Sequence, residues 1–436
     1  MFSALDTQMM QTALELAKLG RFSTSPNPRV GCVIAHGAQI VGEGFHVKAG
    51  EPHAEVHALR QAQAAAKGAT AYVTLEPCSH YGRTPPCAEA LIHSGVARVV
   101  AAMTDPNPLV AGKGLSMLEA AGIRTESGLL EAQARELNRG FLSRIERGRP
   151  FIRLKCAASL DGKTALSDGR SFWITGKAAR EDVQILRAES CAVLTGIGTV
   201  LADNPKLNVR SFPTLRQPAR IVLDSRLQIP LDCHLMTDTD SPTVIVTLSS
   251  DEQRLQALSA FEHIRIIRPS EHINGRINLP SLMPQLAELG FGEVLVEAGS
   301  TLASAFLKDD LVDEIVLYQA PKLLGAGKPL FSLPENPAAL LSDGPWHSQS
   351  VEIIGQDIKW VLRKNPSKKS FLPLPPSPPL PAYRPKGNTS PSTSQKVGAA
   401  AKKPKTSASP SIAPTASMSS SLPQKNPSPA NKPSSA

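Results

Sequence analysis

Three side chains able to bind a transition metal lie close together in the chain: His53 in "PHAEVHAL", and Cys78 and Cys87 in "EPCSHYGRTPPCAEA". One nitrogen and two sulfur donors suit zinc and leave its fourth tetrahedral position for water, which is the arrangement of catalytic rather than structural sites. Zinc brings the pKa of such a water down toward neutrality. Glu55, two residues past His53, is then the natural carrier of protons between that water and a substrate. Both thiols are expected near helix N-termini, which favour the thiolate a metal needs. Residues i and i+2 of one helix do not face each other, so the reading requires His53 in the very first turn, with the metal beyond the helix end. His57, at i+4 from His53, offers a rival pair on one helix face; we read His57 and His80 as structural.

The elements that must position these residues follow from periodicity. "DTQMMQTALELAKLG" predicts a helix with an Asp cap and a closing Gly. "RVGCVIAHGAQIVGEGFH" predicts two short strands joined by a Gly-containing turn. "HAEVHALRQAQAAAKG" predicts a helix, "ATAYVTLEP" a strand, "CAEALIHSG" a helix and "VARVVAAM" a strand. That order implies parallel strands covered by helices. After "LNRGFLSRIERGRPF" the alternation restarts, with strands at "PFIRLKCAASLDG", "CAVLTG", "ARIVLDS", "PTVIVTL", "IRIIRP", "GEVLVEAG" and "DEIVLYQAP" and helices at "KAAREDVQILRAE" and "TLASAFLKDD". We divide the chain into residues 1–147, 148–364 and 365–436, two α/β domains and a tail.

The chain has 436 residues, enough for two or three ordinary domains, and six scattered cysteines, too few for a disulfide scaffold. No run approaches the roughly 18–20 apolar residues of a membrane span, and the N-terminus lacks a basic head and apolar signal core. A cytoplasmic protein with no membrane partner is expected. The net charge of +9 belongs to the tail: ten of the 47 Lys and Arg, and none of the 38 Asp and Glu, lie beyond residue 364. The body before it is close to neutral, and only 4% of the chain is aromatic, which argues against a nucleic-acid partner. Residues 365–436 are rich in Pro, Ser, Ala and Lys and are expected to be disordered. "PLPPSPPLP" within them could serve as a polyproline ligand.

His-x-Glu followed by Pro-Cys and a second Cys resembles the zinc nucleoside and nucleobase deaminase signature, in which Glu carries the proton and is not a ligand. The longer Cys spacing, with "GRTPP" inside it, together with "SPNPRVGCVI" and "DPNPLVAGKG", is similar to the pyrimidine deaminase domain of the bifunctional riboflavin-biosynthesis deaminase/reductase family. The resemblance implies a cytidine-deaminase-like fold acting on a phosphorylated diaminopyrimidine, with Asn27 contacting the pyrimidine and Arg83 the substrate.

In the second half, "VEAGSTLASAF" places Gly-Ser-Thr between a strand and a helix, where backbone N–H groups and the helix dipole can take a phosphate. "LTGIGTVLADNP" has Gly-x-Gly but lacks the third glycine of the Rossmann fingerprint. These stretches, with "RLKCAASLDGKTAL", "SFWIT", "DVQILRAES" and "LDS", resemble the same family's reductase domain. That resemblance implies a dihydrofolate-reductase-like fold that uses NADPH to convert a ribosyl into a ribityl chain, and a homo-oligomer. Ala157, Trp173, Thr199, Asp203, Ser225 and the turn Gly299, Ser300, Thr301, Leu302, Ala303, Ser304 and Ala305 would line NADP. Ser171, Arg187, Leu207, Arg210 and Glu297 would hold substrate, the two arginines as clamps on the sugar phosphate; Lys155 and Asp161 could orient the sugar. The competing readings are a nucleoside or tRNA deaminase with a silent second domain, and a non-enzymatic binding protein.

Overall fold

The computed structural model describes residues 1–81, 85–108, 110–170, 173–336 and 344–364. Arg83, Ser171 and the segment 365–436 lie outside them.

Helix α1 (Ala4–Leu19) opens the chain. Its cap is Ser3, not the expected aspartate: Ser3 Oγ accepts the Asp6 N–H, and the Asp6 carboxylate returns a bond to the Ser3 N–H. Asp6 also takes Arg98 and the Tyr72 hydroxyl, tying the helix to the sheet beneath it. That sheet holds β1 (Gly31–His36), β2 (Gln39–Phe45), β3 (Thr70–Val73), β4 (Arg98–Ala101) and β5 (Arg124–Ser127) in the order 2-1-3-4-5. Strands β3, β4 and β5 run parallel as expected, and β1, joined to β2 by the expected short turn, is antiparallel to both its neighbours. A turn as short as His36–Gln39, with Gly37 at φ +56°, can only return the chain antiparallel. Helices α2 (Ala54–Ala62), α3 (Cys87–Ser94) and α4 (Lys113–Ala120) follow, and α5 (Glu131–Leu137) and α6 (Arg139–Arg147) lead out of this half.

Two glycines let α2 lie directly on β2. A Cβ at Gly42 would stand 2.2 Å from the Ala58 carbonyl oxygen, and one at Gly44 would stand 2.4 Å from that of Ala54. The first turn of α2 is thereby pressed against the sheet.

The second sheet is built on β6 (Phe151–Ser159), β8 (Ala192–Gly196), β9 (Ala219–Leu223), β10 (Thr243–Val246), β11 (Ile264–Ile267), β14 (Glu293–Glu297), β15 (Glu314–Ala320), β17 (Trp346–Ile354) and β18 (Asp357–Lys364). Short pairs flank it: β7 (Lys163–Ala165) with β16 (Lys328–Pro329), and β12 (His272–Ile273) with β13 (Arg276–Ile277). The order is 11-10-9-8-14-6-15-18-17, parallel except for the last two strands. The central strands read as continuous apolar runs because both faces are covered; Ile152, Leu154, Val294, Leu295 and Val296 are fully buried. The covering helices are α7 (Lys177–Glu189), α8 (Ile197–Asp203), α9 (His234–Thr237), α10 (Glu252–Ser259), α11 (Leu279–Glu288) and α12 (Ser300–Lys308).

Cations of the first sheet's body reach into a charged cluster that Arg153 centres in the second. Arg153, 3% exposed, reaches Glu314 at 2.6 Å, Glu293 at 3.2 Å and Glu189 at 3.3 Å. Arg139 of α6 meets Glu293 at 2.9 Å. Arg29, ahead of β1, donates to the Leu137 and Glu189 carbonyls and lies 3.6 Å from Glu293.

Candidate active sites

His53 precedes the first helical residue of α2. Its backbone is extended (φ −75°, ψ 167°) while its carbonyl accepts the Val56 and His57 N–H groups. The ring therefore projects off the helix end, while Ala54 begins the helix proper and Glu55 lies in its first turn. This resolves the i, i+2 objection. Cys78 lies in the loop after β3, and Cys87 is the first residue of α3, its N–H donated to Cys78 Sγ at 3.3 Å. His53 Nδ1 stands 3.3 Å from Cys87 Sγ and 3.6 Å from Cys78 Sγ, and all three ligand atoms lie within 4.8 Å of one another. A tetrahedral zinc with its usual bond lengths separates N and S ligands by about 3.6 Å, so the donor set fits the ion. Neither His57 nor His80 belongs to the converging group. His57 Nε2 is buried without a partner among the described residues, and His80 is exposed.

The electrostatics suit metal and proton transfer. A hydrogen bond with Cys87 brings Cys78 down to about 4, while the same contact with Cys78 pushes Cys87 up. The hydrogen bond to Cys78 raises His53. Glu55 is 3% exposed; burial lifts its carboxyl to about 6, and Oε2 has no hydrogen-bond partner among the described residues. A buried acid with one unpaired oxygen beside a ligand set is placed for work rather than for packing.

Asn27 reaches the same centre through a residue that motif reading missed. Its Nδ2 lies 3.1 Å from Nε2 of the buried His46, whose Nδ1 is 3.2 Å from the Pro52 carbonyl. The His46 ring packs edge-on to His53, with centroids 5.4 Å apart. His46 follows β2 with no helical or metal spacing to flag it, so only the fold brings it forward.

In the second half a cavity of about 1540 Å³ opens at the carboxyl ends of β6, β8, β9 and β14, where open parallel sheets bind ligands. Ala157, Trp173, Thr199, Asp203 and Ser225 line it, as do Gly299–Ala303 and Ala305. Gly299 caps α12 without a side-chain bond, leaving first-turn N–H groups for a phosphate. Ser304 departs from the expectation: it is 2% exposed and its Oγ accepts the Ser332 N–H at 2.7 Å.

Leu207, Arg187, Arg210 and Glu297 line the same cavity, as does Lys155. Arg187 is not a free clamp. Its Nε and Nη2 grip the Glu297 carboxylate at 2.6 and 3.0 Å, and Nη1 donates to the Asn208 carbonyl. Burial raises Glu297, but Arg187 outweighs it and holds the carboxyl below its ordinary value. Arg210 is exposed, and no ion pair neutralises it among the described residues. Asp161 is also committed elsewhere: its carboxylate accepts Ser159 Oγ and the Leu324 and Gly325 N–H groups, so it braces a loop.

Family comparisons agree with both halves. Residues 3–103 match the cytidine and deoxycytidylate deaminase zinc-binding region, and residues 150–359 match the RibD C-terminal domain. The class is thus a two-site enzyme, a zinc-dependent deaminase of cytidine-deaminase-like fold joined to an NADPH-dependent reductase of dihydrofolate-reductase-like fold. Over 372 residues the chain is 50% identical to the riboflavin biosynthesis protein RibD of Haemophilus influenzae, covering 82% of this chain and 97% of that one. Over 367 residues it is 49% identical to the Escherichia coli RibD, covering 81% and 98%. The solved Acinetobacter baumannii RibD (form 2) aligns with a TM-score of 0.76 at 46% identity, covering 83% of this chain and 99% of that one. A Thermotoga maritima structure, titled a diaminohydroxyphosphoribosylaminopyrimidine deaminase/5-amino-6-(5-phosphoribosylamino)uracil reductase, aligns at 0.73 with 33% identity over 83% and 99%. The chain belongs to the RibD family, the bifunctional deaminase/reductases of riboflavin biosynthesis.

Proposed function

We propose that the chain deaminates 2,5-diamino-6-(5-phosphoribosylamino)pyrimidin-4-one and then reduces the ribosyl group of the product to ribityl, with the two activities divided at residues 147 and 148. The convergence of His53 Nδ1, Cys78 Sγ and Cys87 Sγ beside buried Glu55 carries this reading. Zinc held by those three side chains supplies a water acidic enough to act as nucleophile near neutral pH. Glu55 would accept the proton given up by the attacking water and return it to the departing nitrogen, so that ammonia leaves. Asn27, held by His46, presents its amide to the pyrimidine; Arg83 is assigned to the substrate as well.

In the reductase, NADPH supplies hydride to C1′ of the sugar. Ala157, Trp173, Thr199, Asp203, Ser225, Gly299–Ala303 and Ala305 bind the dinucleotide. Arg210 takes the substrate phosphate, the Arg187–Glu297 pair offers a fixed donor–acceptor edge, and Leu207 packs against the ligand; Ser171 joins them. Two assays on the purified protein test the proposal: ammonia release from the diaminopyrimidine, and NADPH oxidation on the deaminated product. Absence of both would leave a binding protein, and ammonia release alone a silent second half.

The near-neutral body makes nucleic acid a poor partner. No helix among the described residues is long and apolar enough to cross a membrane, and the free cysteines required as ligands suit a reducing, cytoplasmic setting. A homo-oligomer is supported by the edge of the second sheet. Val351 and Ile353 of β17 pair with Trp360 and Ile358 of β18, placing four exposed apolar side chains on one face beside an edge strand. Ile353→Lys should lower the mass measured by light scattering; an unchanged mass would locate the interface elsewhere.

A further inference from the structure

We propose that Glu76 is a positioning residue for deamination: its carboxylate locks Asp105 and the start of α4 against the loop that carries Cys78. The inference rests on the deaminase reading above and deepens it.

Glu76 is 4% exposed, and no lysine or arginine pairs with it among the described residues. Its carboxylate is held by backbone N–H groups. Oε2 accepts Asp105 N at 3.0 Å and Gly112 N at 2.9 Å, while Oε1 accepts Gly114 N at 2.8 Å and Leu115 N at 3.4 Å. A buried carboxylate is costly unless fully hydrogen-bonded, so these four donors are what keep it there. In return they are all held by one side chain, which ties together both ends of the connection from β4 to α4.

That connection is the neighbour of the metal loop. Strands β3 and β4 are adjacent and parallel, so the chain leaves both at the same edge, and the Glu76 N–H donates to the Met103 carbonyl at 2.9 Å. Glu76 stands two residues before Cys78, and Asp105 lies within electrostatic reach of Cys78 and His80. A second observation points the same way. A Cβ at Gly114 would stand 1.9 Å from the Pro77 carbonyl oxygen and 3.2 Å from Glu76 Oε1, so the start of α4 rests on the backbone next to the ligand. Carboxylate and glycine together place Asp105 and its neighbours as a wall beside the metal ligands.

Glu76→Gln keeps the shape but turns one oxygen into an amide nitrogen, which then faces two N–H donors with no acceptor between them. In the full-length protein, zinc per chain and NADPH oxidation on pre-deaminated substrate should match wild type. The KM for the diaminopyrimidine should rise roughly tenfold or more, with kcat changed by less than about threefold, as expected when backbone donors lose an acceptor outside the reacting atoms. Gly114→Ala pushes the same wall against the Pro77 carbonyl and crowds Glu76 Oε1 while leaving the carboxylate itself in place, and should give the same split; it decides the matter if Glu76→Gln does not fold. An unchanged KM in both variants, a fall in kcat alone, or loss of zinc would overturn the assignment, the last by making Glu76 a support for the ligands instead. Absence of ammonia release from wild type would instead remove the deaminase reading itself.

Discussion

Replacing Glu55 by Gln tests the proton-transfer role most directly. The side chain is buried, its carboxyl is raised to about 6 by that burial, and Oε2 has no partner among the described residues. A neutral amide of the same shape removes a desolvated acid without opening a cavity, so the fold should be no less stable. None of the three ligand atoms is altered, and His53, Cys78 and Cys87 should still retain one zinc per chain. What disappears is the group that accepts and returns a proton at the amino-bearing carbon. Such groups contribute about 10²- to 10⁴-fold, or roughly 3–5 kcal/mol of barrier at 1.36 kcal/mol per decade. Ammonia release should fall by that factor. NADPH oxidation on pre-deaminated product, which uses the other sheet's cavity, should be unaffected and serves as the internal check on folding. Zinc analysis by mass spectrometry accompanies both rates. Loss of zinc, or ammonia release within tenfold of wild type, would refute the reasoning, because Glu55 would then be a ligand support or a bystander.

Arg210→Ala should raise the KM for the phosphorylated reductase substrate on the order of tenfold to a hundredfold, the worth of a charge-assisted hydrogen bond, and leave ammonia release unchanged; an unaltered KM would move the phosphate elsewhere. Arg187→Ala should behave differently, lowering kcat as well, because it frees the Glu297 carboxylate it grips through two nitrogens; a pure KM effect would restore the simple clamp. Arg153→Met should destabilise the protein by about 3–5 kcal/mol, since it strips a buried cation from the buried Glu293 and Glu314. An unshifted denaturation midpoint would show that Arg29, Arg139 and Arg363, the remaining partners of those acids, suffice alone.

Motifs made of local spacing were readable in advance. His53, Glu55, Cys78 and Cys87 announce themselves because a metal dictates donor chemistry, and Gly299–Ala303 because a strand ending in small residues before a helix exposes N–H groups. Strands such as Glu293–Glu297 were legible as apolar runs buried on both faces. The β17–β18 hairpin was not, because its mixed, half-exposed strands carry no such run. His46, Glu76 and the Arg153 network were equally silent, since each acts through partners outside its own element and no local pattern marks such a side chain.

By itself, then, the order of amino acids determined which atoms could bind a metal or a phosphate, because those requirements concern element type and short-range geometry. Only the tertiary structure decided which charges were already spent, such as Arg187 on Glu297 and Asp161 on a loop, and which side chains hold the sites in place. Pairing depends on distance in space, and a linear pattern does not contain that distance until the sheets have brought remote residues together.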